Sequence, residues 1–458
     1  MLTLRQLASA PPRLSDALWI SAIALALRLA VVFWAAGLFP PTDDGHFYQI
    51  VAERIAKGQG YTWLWPDGVV TYAAHYPVGY PALLGGVYAL LGPSPAVAMT
   101  LNAAIGTAAV YATHRLTALS SARLGAILAA LLVALHPGLV FYTPALMTEG
   151  VAAALIVIGA WAAARASGRL PSLLLPALVL GVSILVRPQL VLAVPLLGLL
   201  AAPAAATLRQ RLGRALALTA LSIALCLPWT ARNCARLESC VFVSANGGWN
   251  LFIGTSDKGN GGWVPLESIG VPEECRTVFA EAAKDHCFGR AGARRIAQAP
   301  LSWLALVPQK LMMTFEYSGA AAYYLHAASA QAFSDRQKTL LGSVETVYQR
   351  IVTLLALVAL ARLPGPRVRP RRWLALAGSA CLFLPLAWMS YLGLCASTAL
   401  LGRSLWRQPA ALAAGAVVAT TAIVHAAFFG AGRYGVVVFG AVAALAGLAV
   451  GPKSPATS

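Results

Sequence analysis

Long apolar runs, interrupted at intervals by arginine-rich turns, recur along the chain from Ala17 to its C-terminus. A helix of about 20 apolar residues spans the roughly 30 Å of a bilayer's hydrocarbon core. On that measure the pattern predicts about twelve crossings, over residues 17–38, 95–116, 121–142, 149–166, 171–186, 188–205, 211–230, 340–361, 373–389, 389–402, 409–428 and 434–450. The expected fold class is an all-α integral membrane protein with about twelve transmembrane helices. The first run exceeds the roughly 7–15 apolar residues of a secretory signal and reads as a retained span.

Two stretches, 39–94 and 231–339, break the pattern, and loops of such length in a compact protein are usually functional. In the first, Val51 to Ala56 reads as a short helix. A Gly/aromatic stretch through Gly60-Tyr61-Thr62-Trp63 follows, then a second short helix after Tyr76-Pro77-Val78-Gly79-Tyr80-Pro81. In the second, 273–299 and 301–317 alternate apolar and charged residues, as helices lying in the membrane interface do. Gly247-Gly248 and Gly259 to Gly262 read as turns that permit close backbone approach. The chain thus divides into an N-terminal transmembrane module, 1–230, carrying loop 39–94; an outer loop, 231–339; and a C-terminal transmembrane module, 340–458.

Composition agrees with a bilayer: 59% of the residues are hydrophobic and 11% charged, with a mean hydropathy of +0.70. The net charge of +18 comes mainly from arginines in alternate loops: Arg5 and Arg13, Arg115 and Arg123, Arg165 and Arg169, Arg209 to Arg214, Arg362 to Arg372, Arg403 and Arg407, then Lys453. Cytoplasmic loops hold the excess of Lys and Arg. This multi-pass chain is therefore expected in the cell membrane with its N-terminus cytoplasmic. The charge is a topology signal and an attraction to anionic lipid, and no nucleic-acid partner is expected. In that orientation Asp16 is the one acidic residue near the cytoplasm among 16, so chemistry is expected on the non-cytoplasmic face.

Cys234, Cys240, Cys275 and Cys287 share the second outer loop, where an oxidising compartment favours disulfides. Of three pairings, closeness in sequence favours Cys234–Cys240 and Cys275–Cys287. Cys226, Cys381 and Cys395 fall in spans and read as small core residues. The sequence holds no Cys-x-x-Cys metal motif, no Walker loop and no Gly-x-Gly-x-x-Gly opening a helix after a strand. No nucleotide cofactor is expected, and any energy source for outer chemistry must arrive in lipid.

The reactive candidates are Asp43 and Asp44 in Thr42-Asp43-Asp44-Gly45-His46-Phe47-Tyr48. Adjacent carboxylates repel, which raises a pKa or recruits a cation. One can act as general base, Asp43 first and Asp44 in reserve, and both can help to hold a divalent metal, so a metal cofactor stays open. The competing reading is an N-cap for the helix beginning near His46. Glu149, opening a span at the outer surface, is a second acid for acceptor or metal, though a first-turn Glu also suits the helix dipole. His75, with His46, lies in the loop of the aspartates and is a metal-ligand candidate. Arg28 sits midway along the first span, where a charge needs protein or water around it, and joining helices is its expected role. Trp63, Trp65, Tyr72, Tyr76, Tyr80, Trp249 and Trp263 offer ring faces to a sugar or, alternatively, an interfacial belt.

These residues, with Thr148-Glu149, Arg187-Pro188, Pro228-Trp229-Thr230-Ala231-Arg232-Asn233, Asn246-Gly247-Gly248-Trp249-Asn250-Leu251 and Gly432-Arg433-Tyr434, occur in an order that resembles the polytopic GT-C glycosyltransferases. The likeness is to the protein O-mannosyltransferase-like and lipid A aminoarabinose transferase-like group, whose acidic pair is often Asp-Glu where this chain has Asp43-Asp44. The resemblance implies inverting transfer of a sugar from a polyprenyl-phosphate donor to a lipid, polysaccharide or protein acceptor outside the cytoplasm. Charge then develops on a departing phosphate, and Arg187, Arg232 and Arg433 sit at outer helix ends where a guanidinium fork can receive it. Anchoring to lipid headgroups is the plainer role for each. The function in another class is a transporter or flippase of an amphipathic lipid or small solute, against which stand the absence of clear repeat symmetry and the clustering of acids outside the membrane.

Overall fold

The computed structural model describes residues 9–166 and 169–450; Arg5 and Lys453 of the basic pattern lie outside them. The chain is mostly helical, at 73%. In chain order the principal elements are α1 Leu14–Ala35, α2 Asp44–Ala56, β1 Thr62–Leu64, β2 Val70–Tyr72, α3 Gly79–Leu91, α4 Pro95–Thr117, α5 Arg123–Ala134, α6 Thr148–Ala164, α7 Leu174–Val186 and α8 Leu208–Arg236. There follow α9 Glu281–Gln298, α10 Val307–Phe315, α11 Ala320–Ala328, α12 Asp335–Arg362, α13 Val368–Cys381, α14 Ala387–Ala399 and α15 Pro409–Ala427, then a last helical span, Gly432–Ala449.

Helix starts follow local chemistry. Ser94 accepts from the Val97 N–H ahead of Pro95 at the first helical position of α4. Thr207 with Gln210 and Ser334 with Gln337 form reciprocal caps that start the two longest helices, α8 and α12. Each predicted crossing is found as helix, but among the described residues six helices are long and apolar enough to span: α1, α4, α8, α12, α15 and Gly432–Ala449. The protein is thus a multi-pass membrane protein. The predicted segment 121–142 stops at Ala134 and resumes as the short helix Pro137–Phe141, because Pro137 has no N–H to give to the preceding turn. The predicted junction at 389 lies instead at residues 382–386, around Pro385.

Other departures fall in the outer loops. β1 and β2 pair as an antiparallel hairpin, Thr62 opposite Tyr72, so the all-α class needs this exception. Its β-branched and aromatic residues flank a Pro66-Asp67-Gly68 turn, a hairpin signal. The expected helical stretch 273–299 is two helices, Glu273–Arg276 and α9, and that over 301–317 divides into Pro300–Ala305 and α10. Gly247-Gly248 opens a short helix, Gly247–Ile253, rather than a turn. Close approach holds there nonetheless: a Cβ on Gly248 would collide with the backbone of Asp285.

Of the membrane-length helices, α15 and Gly432–Ala449 are the central ones, 78% and 89% buried, against 22% for α8 at the periphery. The turn between them therefore emerges at the middle of the bundle. It is held from above: the Gly430 N–H bonds to Gly261 O at 2.8 Å, and Lys310 Nζ on α10 bonds the carbonyls of Ala426 and Ala427 at 3.2 and 3.3 Å. Those carbonyls end α15, where a cation also meets the negative end of the helix dipole. Arg28 carries out the joining role, donating to Ala24 O within α1 and to Val133 O of α5. Asp16 and Arg123 form a two-pronged ion pair, both contacts 2.7 Å, between the starts of α1 and α5.

The favoured disulfide pairing is present, Cys234–Cys240 and Cys275–Cys287. Peptide mapping without reductant is expected to recover these two cross-links and to find Cys226, Cys381 and Cys395 as thiols. With loops of 6 and 12 residues, loss of either bridge is expected to destabilise the outer region by about 2–3 kcal/mol, read as earlier proteolysis of 231–339 under reductant.

Candidate active site

Four charged side chains from distant parts of the chain meet where α2, α6 and the last span begin and α7 ends. Arg187 Nη1 donates to Glu149 Oε1 at 2.8 Å. Arg433 Nε lies 3.4 Å from the same oxygen, and its Nη1 donates to Asp44 Oδ2 at 3.1 Å. The order is Asp44, Arg433, Glu149, Arg187, two acids alternating with two bases. Glu149 is almost wholly enclosed and Arg187 is a tenth exposed; Arg433 and Asp44 are a third and a quarter open.

Hydroxyl groups complete the cluster. Tyr76 Oη donates to Asp44 Oδ1 at 2.7 Å, and Tyr142 Oη donates to Glu149 Oε2 at 3.1 Å. Burial and the Asp44 charge push the Tyr76 phenol well above its ordinary pKa, so it remains the donor. The remaining donors of Arg187 are largely taken: Thr148 Oγ1 accepts at 2.9 Å, and the Gln189 amide oxygen, turned toward the guanidinium, accepts at 2.9 and 3.0 Å. Both guanidinium groups lie near the Tyr434 ring, at 5.1 and 5.3 Å. Arg433 is different in one respect. Its Nη2 has only the Tyr434 hydroxyl at 3.5 Å, a weak bond that leaves a half-open donor edge.

Asp43 stands beside this cluster and outside it. Its residue is exposed and its backbone is left-handed, φ 50°, which costs a non-glycine residue about 1–3 kcal/mol unless the surroundings enforce it. They do: Tyr324 Oη accepts from the Thr42 N–H at 3.4 Å and from the Leu146 N–H at 3.3 Å. Gly45 fits beneath, since a Cβ there would lie 3.1 Å from both Tyr324 Oη and Leu146 O. Helix α2 begins at Asp44, and Asp43, at the N-cap position, makes no side-chain capping bond. The capping explanation of the pair therefore fails for Asp43, and Asp44 is engaged by Tyr76 and Arg433 instead.

Of the remaining sequence candidates, Arg232 is not brought to the cluster. Its guanidinium donates to Ala73 O at 2.9 Å and Tyr61 O at 2.7 Å and packs on Trp229, Tyr72 and Tyr61, fastening the hairpin to α8. In this arrangement Arg232 serves the hairpin, apart from the Asp44–Arg433–Glu149–Arg187 cluster. His75 packs edge-on between Tyr76 and Trp249, and burial lowers its pKa. His46 is exposed in the first turn of α2. Trp63 stacks on Phe47 at 4.9 Å, Tyr80 is buried, and Trp65, Tyr72 and Trp263 are half-exposed. The arrangement does not fit a resident divalent cation. Asp44 and Glu149 are already paired with guanidinium groups at contact distance, and no group of three or more His, Cys, Asp or Glu is gathered for a metal among the described residues.

The sequence motifs give no pointer to Tyr142, Gln189 or Tyr324, and point to Tyr76 for its ring face rather than its hydroxyl and to Tyr434 only as the neighbour of Arg433. Gln189 follows Arg187-Pro188 closely enough to have been noticed. Tyr324 lies in the alanine-rich stretch Ala320-Ala321-Ala322-Tyr323-Tyr324, which offers no such signal.

No family profile matches the chain, and no curated protein matches it. Among solved structures, the archaeal oligosaccharyltransferase AglB from Archaeoglobus fulgidus, in complex with an inhibitory peptide and a dolichol-phosphate, is 14% identical over 94% of this chain, with a TM-score of 0.48. The chain spans 50% of that structure's length. The oligosaccharyltransferase complex with Zn and sulfate is 15% identical over 87% of this chain and 53% of its own, at a TM-score of 0.39. ArnT from Cupriavidus metallidurans bound to undecaprenyl phosphate is 16% identical over 95% of this chain and 77% of its own, also at 0.39. Both proteins are GT-C membrane glycosyltransferases, the group that the sequence motifs resemble. At these scores the overlaps carry no functional argument for this chain.

Removing one member of the enclosed pair leaves a charge without its partner. Glu149→Gln is expected to lower stability by about 3–5 kcal/mol, measured by SDS-titration unfolding in lipid micelles. Adding Arg187→Gln is expected to recover part of that loss, which a double-mutant cycle reads as coupling between the two.

Proposed function

We propose that the protein is an inverting glycosyltransferase that moves a sugar from a polyprenyl-phosphate donor to an acceptor hydroxyl at the non-cytoplasmic membrane face. One observation carries this reading: an exposed carboxylate, Asp43, stands beside an enclosed network that holds a guanidinium, Arg433, with an open donor edge. A base next to a fixed cation suits a reaction that takes a proton from one oxygen and releases negative charge on another.

In the step, Asp43 accepts the proton of the acceptor O–H as that oxygen bonds to the anomeric carbon. The bond from the anomeric carbon to the phosphate oxygen breaks on the opposite side, and its electron pair leaves with the polyprenyl phosphate. Arg433 meets the phosphate with its free Nη2, while Asp44 and Glu149 keep the guanidinium in place. Arg187 acts at one remove by holding Glu149. The energy is that of the glycosyl phosphate bond, and no step is routed through a metal. The outer loop 231–339 roofs the site: Glu281 on α9 accepts from the Ala74 N–H at 2.5 Å, tying the segment before Tyr76 to it. The lipid, polysaccharide and protein classes of acceptor are all compatible with this chemistry. A cytoplasmic N-terminus, following the alternation of basic loops, places the site outside.

Asp43→Asn is expected to lower turnover about 10²–10⁴-fold with the unfolding midpoint unchanged. The assay measures polyprenyl phosphate released from a panel of polyprenyl-phosphate sugars, with a membrane extract as acceptor. Equal release by wild type and variant would remove Asp43 as base. Binding of the lipid without sugar consumption, together with its movement across proteoliposomes, would replace transfer with transport.

A further inference from the structure

The role of Tyr324 is not explained by packing. The residue is buried on α11, far in sequence from the acidic pair, yet its phenol oxygen is wedged between three backbone segments. It accepts from the N–H groups of Thr42 and Leu146, and it lies against Gly45 so closely that a methyl group there would need it to give way. Thr42 and Gly45 bracket Asp43 and Asp44. Leu146 leads into Thr148-Glu149 at the start of α6. One oxygen therefore ties the turn carrying the exposed acid to the segment carrying the buried one. The Tyr324 ring also lies edge-on to Tyr142, 6.3 Å away, the phenol that donates to Glu149.

A phenol has one O–H and two lone pairs. The two N–H donors take the lone pairs, so the hydroxyl proton is directed elsewhere, and no acceptor for it lies within hydrogen-bond distance among the described residues. Burial raises the phenol's pKa against the lowering by the two N–H groups, so the proton stays on oxygen.

We propose that Tyr324 is the positioning residue of Asp43: its oxygen enforces the left-handed turn from which Asp43 projects. The inference rests on the transfer reading above. It assigns to the outer loop 231–339 a part in positioning the base as well as in covering the site.

The test is steady-state sugar transfer by the full-length protein in lipid, with polyprenyl-phosphate sugar as the varied substrate, for wild type, Asp43→Asn, Tyr324→Phe and Gly45→Ala. Tyr324→Phe keeps the ring and removes the oxygen. Expected is a fall in kcat of about 10–100-fold with the donor KM little changed. Gly45→Ala disturbs the same oxygen from the opposite side and is expected to lower kcat too, with the double variant no worse than the poorer single one. Should Tyr324→Phe fail to fold, the kcat and donor KM of Gly45→Ala decide the matter. Wild-type kcat in Tyr324→Phe and Gly45→Ala, with Asp43→Asn inactive, would overturn the proposal alone. Transfer undiminished in Asp43→Asn, or absent in wild type, would instead sink the transfer reading and this inference with it.

Discussion

Glu149 is a carboxylate at the head of a helix packed on every side, and two guanidinium groups make its burial tolerable. An isolated charge there would cost several kcal/mol after relaxation, so Arg187 and Arg433 are conditions for the fold as well as for the site. The geometry is uneven. Arg187 is almost saturated by Glu149, Thr148 and Gln189, whereas Arg433 is shared between two acids and keeps an unfilled edge. The saturated arginine fixes the carboxylate, and the carboxylate fixes the unsaturated arginine. What distinguishes the two is where each sits: Arg433 follows a short turn at the middle of the bundle, and that turn is held by Gly261 and Lys310 from the outer loop.

Much of this was legible beforehand, for identifiable reasons. Burying apolar residues in lipid demands long uninterrupted runs, so the helices announce themselves in sequence, and the prolines that shorten them are visible too. Asp43, Asp44, Glu149, Arg187 and Arg433 were found because charges at the ends of apolar helices are rare enough to ask for a purpose. Position at a helix end did not reveal which partner each would take. Arg232 has the same placement as Arg187, yet spends its donors on the carbonyls of Tyr61 and Ala73 because the hairpin packs beside it. The hairpin was the element misread, through weighing the aromatics of Thr62-Trp63-Leu64 and Val70-Thr71-Tyr72 as a surface rather than as strand residues. Long-range pairing, 44 with 433 and 42 with 324, is a property of the tertiary fold and leaves no trace in local spacing.

Tyrosine recurs around the ion cluster for a physical reason. Tyr76, Tyr142 and Tyr434 each bring a large apolar ring that excludes water and one polar atom that satisfies a charge. Serine or threonine would supply the hydrogen bond and admit solvent; phenylalanine would exclude solvent and strand a carboxylate lone pair. The network is enclosed around Glu149 and Arg187 and engaged throughout, save at the Asp43 side and the Arg433 edge. Those are the two places where a second molecule can take part without disturbing the rest.

The separation of these residues along the chain bears on how the protein is made. Asp44, Glu149 and Arg187 are synthesised well before Arg433, which comes at the start of the last of the described spans. During membrane insertion the two acids therefore have Arg187 as their one cationic partner of the cluster until Arg433 follows. The last of the described spans is also the most enclosed of the membrane-length helices, so its entry closes the packing and delivers the missing cation in one event. Packing of the bundle around the cluster and completion of the cluster's charges are then one event, because the same helix brings both.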